Sequence, residues 1–172
     1  MNHPLEPFHY CPVCGSDIFT VNDVKSKRCA RCGFVYYANP SAATAAFILR
    51  DNHLLVARRG KEPAKGTLDL PGGFVDMYET AEQGMARELL EETGLVPTAM
   101  RYLFSIPNLY PYSGMTIHTM DLFFRIEVAP DAEPKAGDDA ASLEWIALGE
   151  IDPDRFGMHS VSQAVRRFLM EK

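Results

Sequence analysis

The sequence contains no long apolar run and no excess of basic residues. No stretch approaches the roughly 18 consecutive apolar residues that a membrane-spanning helix requires. The first ten residues, MNHPLEPFHY, have neither the basic nor the apolar segment of a secretion signal. With 17 basic and 23 acidic side chains, the net charge of −6 disfavours binding to nucleic acids or membranes through overall charge. We therefore expect a soluble, cytoplasmic protein with no membrane partner.

Cysteine is also scarce, and all four residues lie near the N-terminus. They form two pairs, each with two residues between its members, and this spacing is typical of a zinc ribbon. Two disulfides are one alternative, which a cytosolic location disfavours. A redox pair is another, but it does not explain the duplication. The pattern predicts a closed, structural Zn²⁺ site formed by Cys11, Cys14, Cys29 and Cys32.

A domain boundary is predicted just after this ribbon. Residues 1–38 carry four basic and three acidic side chains, a net of +1, so the rest of the chain carries −7. Pro40 interrupts regular structure at this point. We predict a zinc ribbon over 1–38 and a second domain over 39–172.

The second domain reads as mixed α/β. A helix is predicted over 80–93, because Thr80 and Gln83 form a possible capping box and Gly94 a stop. The other predicted elements are strands over 43–50, 54–59, 68–70 and 142–148, with a turn at 51–52, and a C-terminal helix over 160–171.

The first helix has two distinct faces. At 100° per residue, one face collects the residues expected to pack on the sheet: Met85, Ala86, Leu89, Leu90 and Thr93. The other face presents Glu88, Glu91 and Glu92 side by side, although like charges at this spacing repel. A solvated acidic surface is the ordinary explanation, and a metal site is the alternative.

The residues around this helix decide between these explanations. Gly73 is followed after five residues by Glu79 and, after seven more, by Arg87-Glu88-Leu89-Leu90-Glu91-Glu92-Thr93-Gly94-Leu95. This segment matches every fixed position of the 23-residue Nudix box, and the chain resembles Nudix hydrolases. The resemblance implies an α/β/α sandwich with a mixed sheet, preceded here by the zinc ribbon. It also implies hydrolysis of a nucleoside diphosphate linked to another group.

The resemblance implies the roles of the box residues. Glu88, Glu91 and Glu92, with the carbonyl of Gly73, are expected to hold Mg²⁺ or Mn²⁺, ions that prefer hard oxygen ligands. Arg87, a candidate catalytic residue, is expected to form an orienting ion pair with Glu79. The proton acceptor is expected to be either Glu91 or Asp139.

Asp139 is a candidate for a further metal ligand. It lies six residues before the only tryptophan, Trp145, the offset at which related enzymes place a metal-binding glutamate. Asp138 and Glu144 are alternatives. A solvated acidic loop is the explanation without a site.

A four-cysteine ribbon before a Nudix domain resembles the NADH pyrophosphatases. Their motif S-Q-P-W-P-F-P-x-S corresponds to residues 105–113, in which Asn108 replaces the tryptophan, Tyr110 retains an aromatic ring and Ser113 retains the last serine. The loss of the tryptophan leaves the preference for NADH open. Three more positions are carried over as substrate-binding candidates: Tyr37 near the nucleotide, Phe74 against the base and Arg58 on a phosphate.

The hypothesis is a Mg²⁺- or Mn²⁺-dependent pyrophosphatase that cleaves an ADP-containing compound, of the NAD(H) or ADP-ribose type, and releases AMP. A hydrolase of nucleoside triphosphates and a nucleotide-sensing or nucleic-acid-binding ribbon protein are the alternatives. A capped RNA 5′ end is compatible with the same chemistry, although nucleic acid is otherwise not expected as a partner. The resemblance further implies a homodimer.

Overall fold

The computed structural model describes residues 3–137 and 140–171, which group into two units. One unit comprises Met1–Pro40 and Leu109–His118, and the other Ser41–Asn108 and Thr119–Lys172. The division near residue 38 therefore stays a prediction, because a later segment also groups with the first 40 residues. No helix among the described residues has the length and apolar content needed to cross a bilayer.

The first unit contains a three-stranded antiparallel sheet of β1 (Phe19–Asp23), β2 (Ser26–Cys29) and β3 (Val35–Tyr37), in that order. Phe19 pairs with Cys29 across the first two strands. Among its described residues, the first unit buries four hydrophobic residues, Leu5, Cys11, Phe19 and Cys29. Its core cluster is small and consists of Cys11, Phe19 and Cys29, with Cys14 and Phe34 packed against it. A core of this size needs a further staple, such as a metal or a disulfide.

The second unit is built on a six-stranded sheet. Its strands are β4 (Ser41–Arg50), β5 (His53–Arg59), β6 (Leu68–Asp69), β7 (Pro97–Tyr112), β8 (Met115–Val128) and β9 (Ala140–Ala147). The parts of β7 and β8 within Leu109–His118 group with the first unit. The order is β6-β5-β4-β8-β7, and β9 also pairs with β5. β4 and β8 run parallel, whereas β5 is antiparallel to β4, β6 and β9. The sheet is therefore mixed, as the predicted fold class requires.

The turn between β4 and β5 follows directly from its two residues. Asp51 and Asn52 both have positive φ, 46° and 62°, which is the conformation of a two-residue type I′ hairpin. Asp and Asn tolerate this conformation better than most side chains. The predicted turn and its flanking strands are confirmed.

Two helices, α1 (Ala81–Thr93) and α2 (His159–Met170), cover opposite faces of the sheet. Ala46 and Ile48 of β4 belong to the core cluster that contains Met85 and Leu89 of α1. Phe47 lies between them and points to the other face, because successive strand residues alternate. There its ring stacks on Phe168 of α2, with ring centroids 4.2 Å apart. The predicted α/β/α layering is confirmed.

One residue of α1, Leu90, does not lie on the face predicted for it. Met85, Leu89 and Thr93 are buried and Ala86 is partly buried, as predicted, but Leu90 is 52% exposed. It lies at the margin of the predicted apolar arc, 200° from Glu88, so it misses the sheet.

Candidate functional site

Helix α1 is capped at both ends by the residues that the sequence predicts, Thr80 and Gly94. The Thr80 side chain accepts from the Gln83 N–H, and the Gln83 side chain accepts from the Thr80 N–H, so the predicted capping box is present. Gly94 ends the helix in the left-handed region, with φ at 68°. Packing of Met85 and Leu89 in the core sets the rotation of the helix, which presents Glu88, Glu91 and Glu92 away from its buried side.

The segment before α1 lies alongside β4 as an irregular extra strand. The N–H of Ala46 donates to the Pro71 carbonyl at 2.9 Å, and that of Thr44 donates to the Gly73 carbonyl at 2.8 Å. The N–H of Gly72 donates to Glu92 Oε2 at 2.9 Å. One predicted metal ligand is thereby tied to the loop that carries another.

Gly73 provides space for the carboxylate of Glu88. A Cβ at this position would lie 2.5 Å from Glu88 Oε2, closer than such atoms approach in real structures. Burial raises the pKa of the Glu88 carboxyl, and the neighbouring Arg87 opposes this effect. A partly desolvated carboxylate of this kind gains from a nearby cation.

The Arg87 guanidinium is surrounded by acceptors. It donates to the two oxygens of Glu79 at 2.8 and 3.0 Å, to Glu88 at 2.8 Å, to Glu91 at 3.2 Å and to the Phe74 carbonyl at 2.9 Å. The hydrogen bonds from Arg87 lower the pKa of Glu79, and those to Glu79 raise the pKa of Arg87. Arg87 and Glu79 form the expected ion pair, which holds the start of the box against the helix.

The donor set suits a divalent metal in its chemistry. Three carboxylates share one helix face, and the predicted fourth donor is the Gly73 carbonyl, which accepts from the Thr44 N–H. All four are hard oxygen donors, the kind that Mg²⁺ and Mn²⁺ prefer. In the described part of the chain, the group of three or more His, Cys, Asp or Glu side chains whose ligand atoms are placed to hold a metal ion is the four cysteines. Each glutamate instead accepts a hydrogen bond from within the protein. Glu88 and Glu91 accept from Arg87, and Glu92 accepts from the Gly72 N–H.

The candidates for a further acidic ligand are placed differently. Asp138 and Asp139 lie outside the described residues. Glu144, on β9, accepts from Arg58 Nη2 at 2.9 Å. The same arginine donates to the Gly66 carbonyl at 2.9 Å, so its guanidinium links β9 to the loop before β6.

The substrate-binding candidates fall into both units. In the second unit, Arg58 donates to Glu144 and to the Gly66 carbonyl. Phe74 is partly exposed and Asn108 is buried. In the first unit, Tyr37 is exposed on β3. Ser113 lies in the turn between β7 and β8 with φ at 50°, and the ring centroids of Tyr110 and Tyr112 are 6.4 Å apart. Their contacts with substrate stay a prediction.

The four cysteines form one cluster of free thiols. The Sγ atoms of Cys11 and Cys32 are 3.7 Å apart, those of Cys14 and Cys29 are 3.6 Å apart, and all four lie within 4.8 Å of one another. Zn–S bonds of about 2.3 Å place tetrahedral sulfurs about 3.8 Å apart. The cluster therefore fits zinc, and the alternative of two disulfides is wrong. Backbone N–H donors, first that of Cys32, lower the pKa of Cys29 to about 6, which favours the thiolate.

A buried polar network in the second unit was not predicted. Asp121 of β8 accepts from Thr119 Oγ1 at 2.6 Å and from the Ser160 hydroxyl at the start of α2. Arg59 and Asp69 form an ion pair that joins β5 to β6. The sequence feature that could have indicated this network is Asp121, which comes directly before the apolar run Leu122–Phe124.

Comparisons with known proteins agree with this architecture. A family model described as NUDIX domain matches residues 39–168. An ADP-ribose pyrophosphatase of Methanocaldococcus jannaschii is 38% identical over 117 residues, 67% of this chain and 66% of that protein. An NAD-capped RNA hydrolase NudC of Vibrio vulnificus is 27% identical over 151 residues, 88% of this chain and 55% of that protein. The chain thus spans only part of the length of these relatives.

A solved structure supports the fold independently. A NUDIX hydrolase from Nitrosomonas europaea superposes with a TM-score of 0.73, covering 95% of this chain and 91% of that one. The sequences are 22% identical. At that level the likeness concerns the fold alone.

Proposed function

Since the chain belongs to the NUDIX domain family, we propose that it is a metal-dependent Nudix pyrophosphatase. Its substrate is an ADP-containing compound of the NAD(H) or ADP-ribose type, and AMP is one product. The observation that carries the proposal is the box site itself, where Arg87 donates to Glu79, Glu88 and Glu91, and the Gly72 N–H donates to Glu92. The names of the two relatives, an ADP-ribose pyrophosphatase and an NAD-capped RNA hydrolase, support the substrate class.

The mechanism assigns each residue a task. Glu88, Glu91 and Glu92 would hold Mg²⁺ or Mn²⁺ with the Gly73 carbonyl, and Asp139 would add a further oxygen. An ion held by these residues would supply charge neutralisation at the diphosphate and a water of lowered pKa. Arg87 restrains the glutamates through its hydrogen bonds, and Glu91 or Asp139 accepts the proton.

Substrate contacts and assembly complete the proposal. Phe74 stacks on the base and Arg58 binds a phosphate. The resemblance adds Tyr37, near the nucleotide, and Asn108, Tyr110 and Ser113 as further substrate-binding candidates. The four cysteines hold structural Zn²⁺ in a ribbon over 1–38, and the hydrolase domain spans 39–172. The protein acts in the cytoplasm as a homodimer.

A product-resolved assay tests the reaction. The substrates are NADH, NAD⁺, ADP-ribose, diadenosine polyphosphates, nucleotide sugars, nucleoside triphosphates and an NAD-capped RNA, each with Mg²⁺ or Mn²⁺. We expect AMP and the complementary phosphate from an ADP-containing compound. Release of pyrophosphate from triphosphates alone would instead identify a triphosphate hydrolase. Binding of nucleotides or RNA with no turnover would identify a sensor.

A matched pair of variants tests the site. Glu92→Gln removes a ligand charge and is expected to lower turnover by about 100-fold or more. Glu82→Gln makes the same chemical change at an exposed position in the first turn of the same helix, and is expected to leave turnover unchanged. Equal turnover by the two variants would show that the metal site is assigned wrongly.

A further inference from the structure

The segment between β8 and β9 docks on the end of helix α1. The N–H of Lys135 donates to the Thr93 carbonyl at 2.8 Å, and that of Gly137 donates to the Glu92 carbonyl at 2.9 Å. The last carbonyls of a helix have no partner within the helix. The docked segment supplies partners for two of them, from a part of the chain more than 40 residues away (135 minus 93 is 42).

Gly137 lies closer to the helix backbone than any other residue type allows. A Cβ at this position would lie 2.0 Å from the Glu91 carbonyl oxygen and 3.2 Å from the Glu92 Cα. Both atoms belong to the backbone, so no change of side-chain rotamer relieves the clash. The glycine is required here by the contact and not by its backbone dihedral angles, because its φ lies outside the left-handed region.

We propose that Gly137 is a positioning residue for the divalent-cation site, because its close contact with the helix backbone holds the last turn that carries Glu91 and Glu92. The inference rests on the proposed function, in which these two glutamates are metal ligands. Ligands must be held within about 0.5 Å of the productive geometry. A helix end that frays or shifts does not meet this requirement.

The proposal has a thermodynamic consequence. If docking of residues 132–137 favours metal binding by some factor, metal binding must favour docking by the same factor. The coupling is therefore measurable from either side: as metal affinity when docking is disturbed, and as protection of the docked amides when metal is added.

Gly137→Ala tests whether disturbed docking lowers metal affinity, with Gly149→Ala as the matched control. A Cβ at Gly149 meets no atom within 4 Å, so this substitution introduces no clash. Mn²⁺ binding is measured by electron paramagnetic resonance on the zinc-loaded full chain, with circular dichroism to verify folding. We expect Mn²⁺ affinity to fall about tenfold or more in Gly137→Ala and to stay unchanged in Gly149→Ala. Unchanged affinity in a folded Gly137→Ala protein overturns the proposal.

Hydrogen exchange tests whether added metal protects the docked amides. It uses the unmodified chain, so its result does not depend on whether a variant folds. Mn²⁺ is expected to slow exchange of the Lys135 and Gly137 amides, and unchanged rates overturn the inference. The assignment of function can fail separately. If the unmodified chain binds no Mn²⁺, the metal site and this inference both fail. If it binds Mn²⁺ and hydrolyses substrate while Gly137→Ala binds equally well, only this inference fails.

Discussion

Arg87 places one positive charge among several acidic groups. Its guanidinium contacts Glu79, Glu88 and Glu91, and its hydrogen bond to the Phe74 carbonyl reaches the loop before the helix. Carboxylates three and four residues apart on a helix repel one another. The shared counter-ion reduces this repulsion, so the helix keeps an acidic face when no metal is bound.

The Arg87–Glu79 pair predicts a pH dependence of stability. Hydrogen bonds from Arg87 lower the pKa of Glu79 below its ordinary value of 4.5. A carboxylate whose pKa is depressed by folding stabilises the protein above its unfolded pKa, and this contribution is lost as the pH falls through the folded pKa. Glu79→Gln is therefore expected to destabilise the protein at about pH 7 and to have a smaller effect at about pH 3, because the contribution fades as the pH falls.

Urea denaturation at both pH values measures this effect. Glu82→Gln, on the exposed part of the first turn of α1, is the control and is expected to match the unmodified chain at both pH values. A Glu79→Gln protein whose stability differs from that of the unmodified chain by the same amount at both pH values contradicts the prediction.

At the residue scale, spacing along the chain indicates which glutamates share one helix face, but not which hydrogen bonds they form. The 3.6-residue period places Glu88, Glu91 and Glu92 on one face, and this follows from the sequence alone. The hydrogen bond from Gly72 to Glu92 joins residues 20 apart. It forms because the loop returns along β4, which no local pattern encodes.

At the element scale, α1 depends on which of its two adjacent leucines is buried. Leu89 is fully buried in the cluster with Ala46, Met85 and Phe124, whereas Leu90 is 52% exposed. Leu89→Ala is expected to lower the free energy of unfolding by about 2–4 kcal/mol, because it leaves a cavity. Leu90→Ala is expected to lower it by less than about 1 kcal/mol, because most of that side chain is already in water.

Chemical denaturation of both variants measures the difference. The pair is its own control, since the same atoms are removed from neighbouring positions of one helix. Equal losses for the two leucines would mean that the helix is rotated relative to the sheet in solution.

Prediction of the elements succeeded where the pattern was local. The helices and strands of 41–59, 81–93 and 140–170 were predicted to within about two residues. The long strands β7 and β8 were not predicted. β7 contains Pro97, Pro107 and Pro111, which usually argue against a strand. Proline is tolerated at the edge of a sheet, and β7 is the last strand in the sheet order. That position is a property of the assembled sheet.

At the scale of the whole molecule, the first unit is expected to depend on zinc. Its strands are three to five residues long, and three of the five residues in and around its core are cysteines. A site that forms only in the folded state contributes its binding free energy to folding. Removal of zinc with a chelator is therefore expected to speed amide exchange throughout residues 11–37.

Hydrogen exchange with mass spectrometry measures this effect, while a chromogenic zinc indicator follows release of the ion. The buried amides of Ile48, Leu55 and Leu89 are expected to stay protected, because their core cluster includes no cysteine. Reloading with zinc should restore protection of residues 11–37. Complete zinc release with no change in exchange over these residues would rule out a structural role for the metal.

The sequence by itself determined the family, the layered α/β class and the identities of the metal-ligand candidates. Helical periodicity, capping residues and motif spacing all act within a few tens of residues, so they can be read along the chain. Tertiary structure decided which thiols and carboxylates are engaged and by what. It placed Gly72 against Glu92 and Gly137 against Glu91, and it turned Leu90 outward. These contacts depend on how sheet, helix and loop pack in three dimensions, and close packing is decided by the whole assembled core.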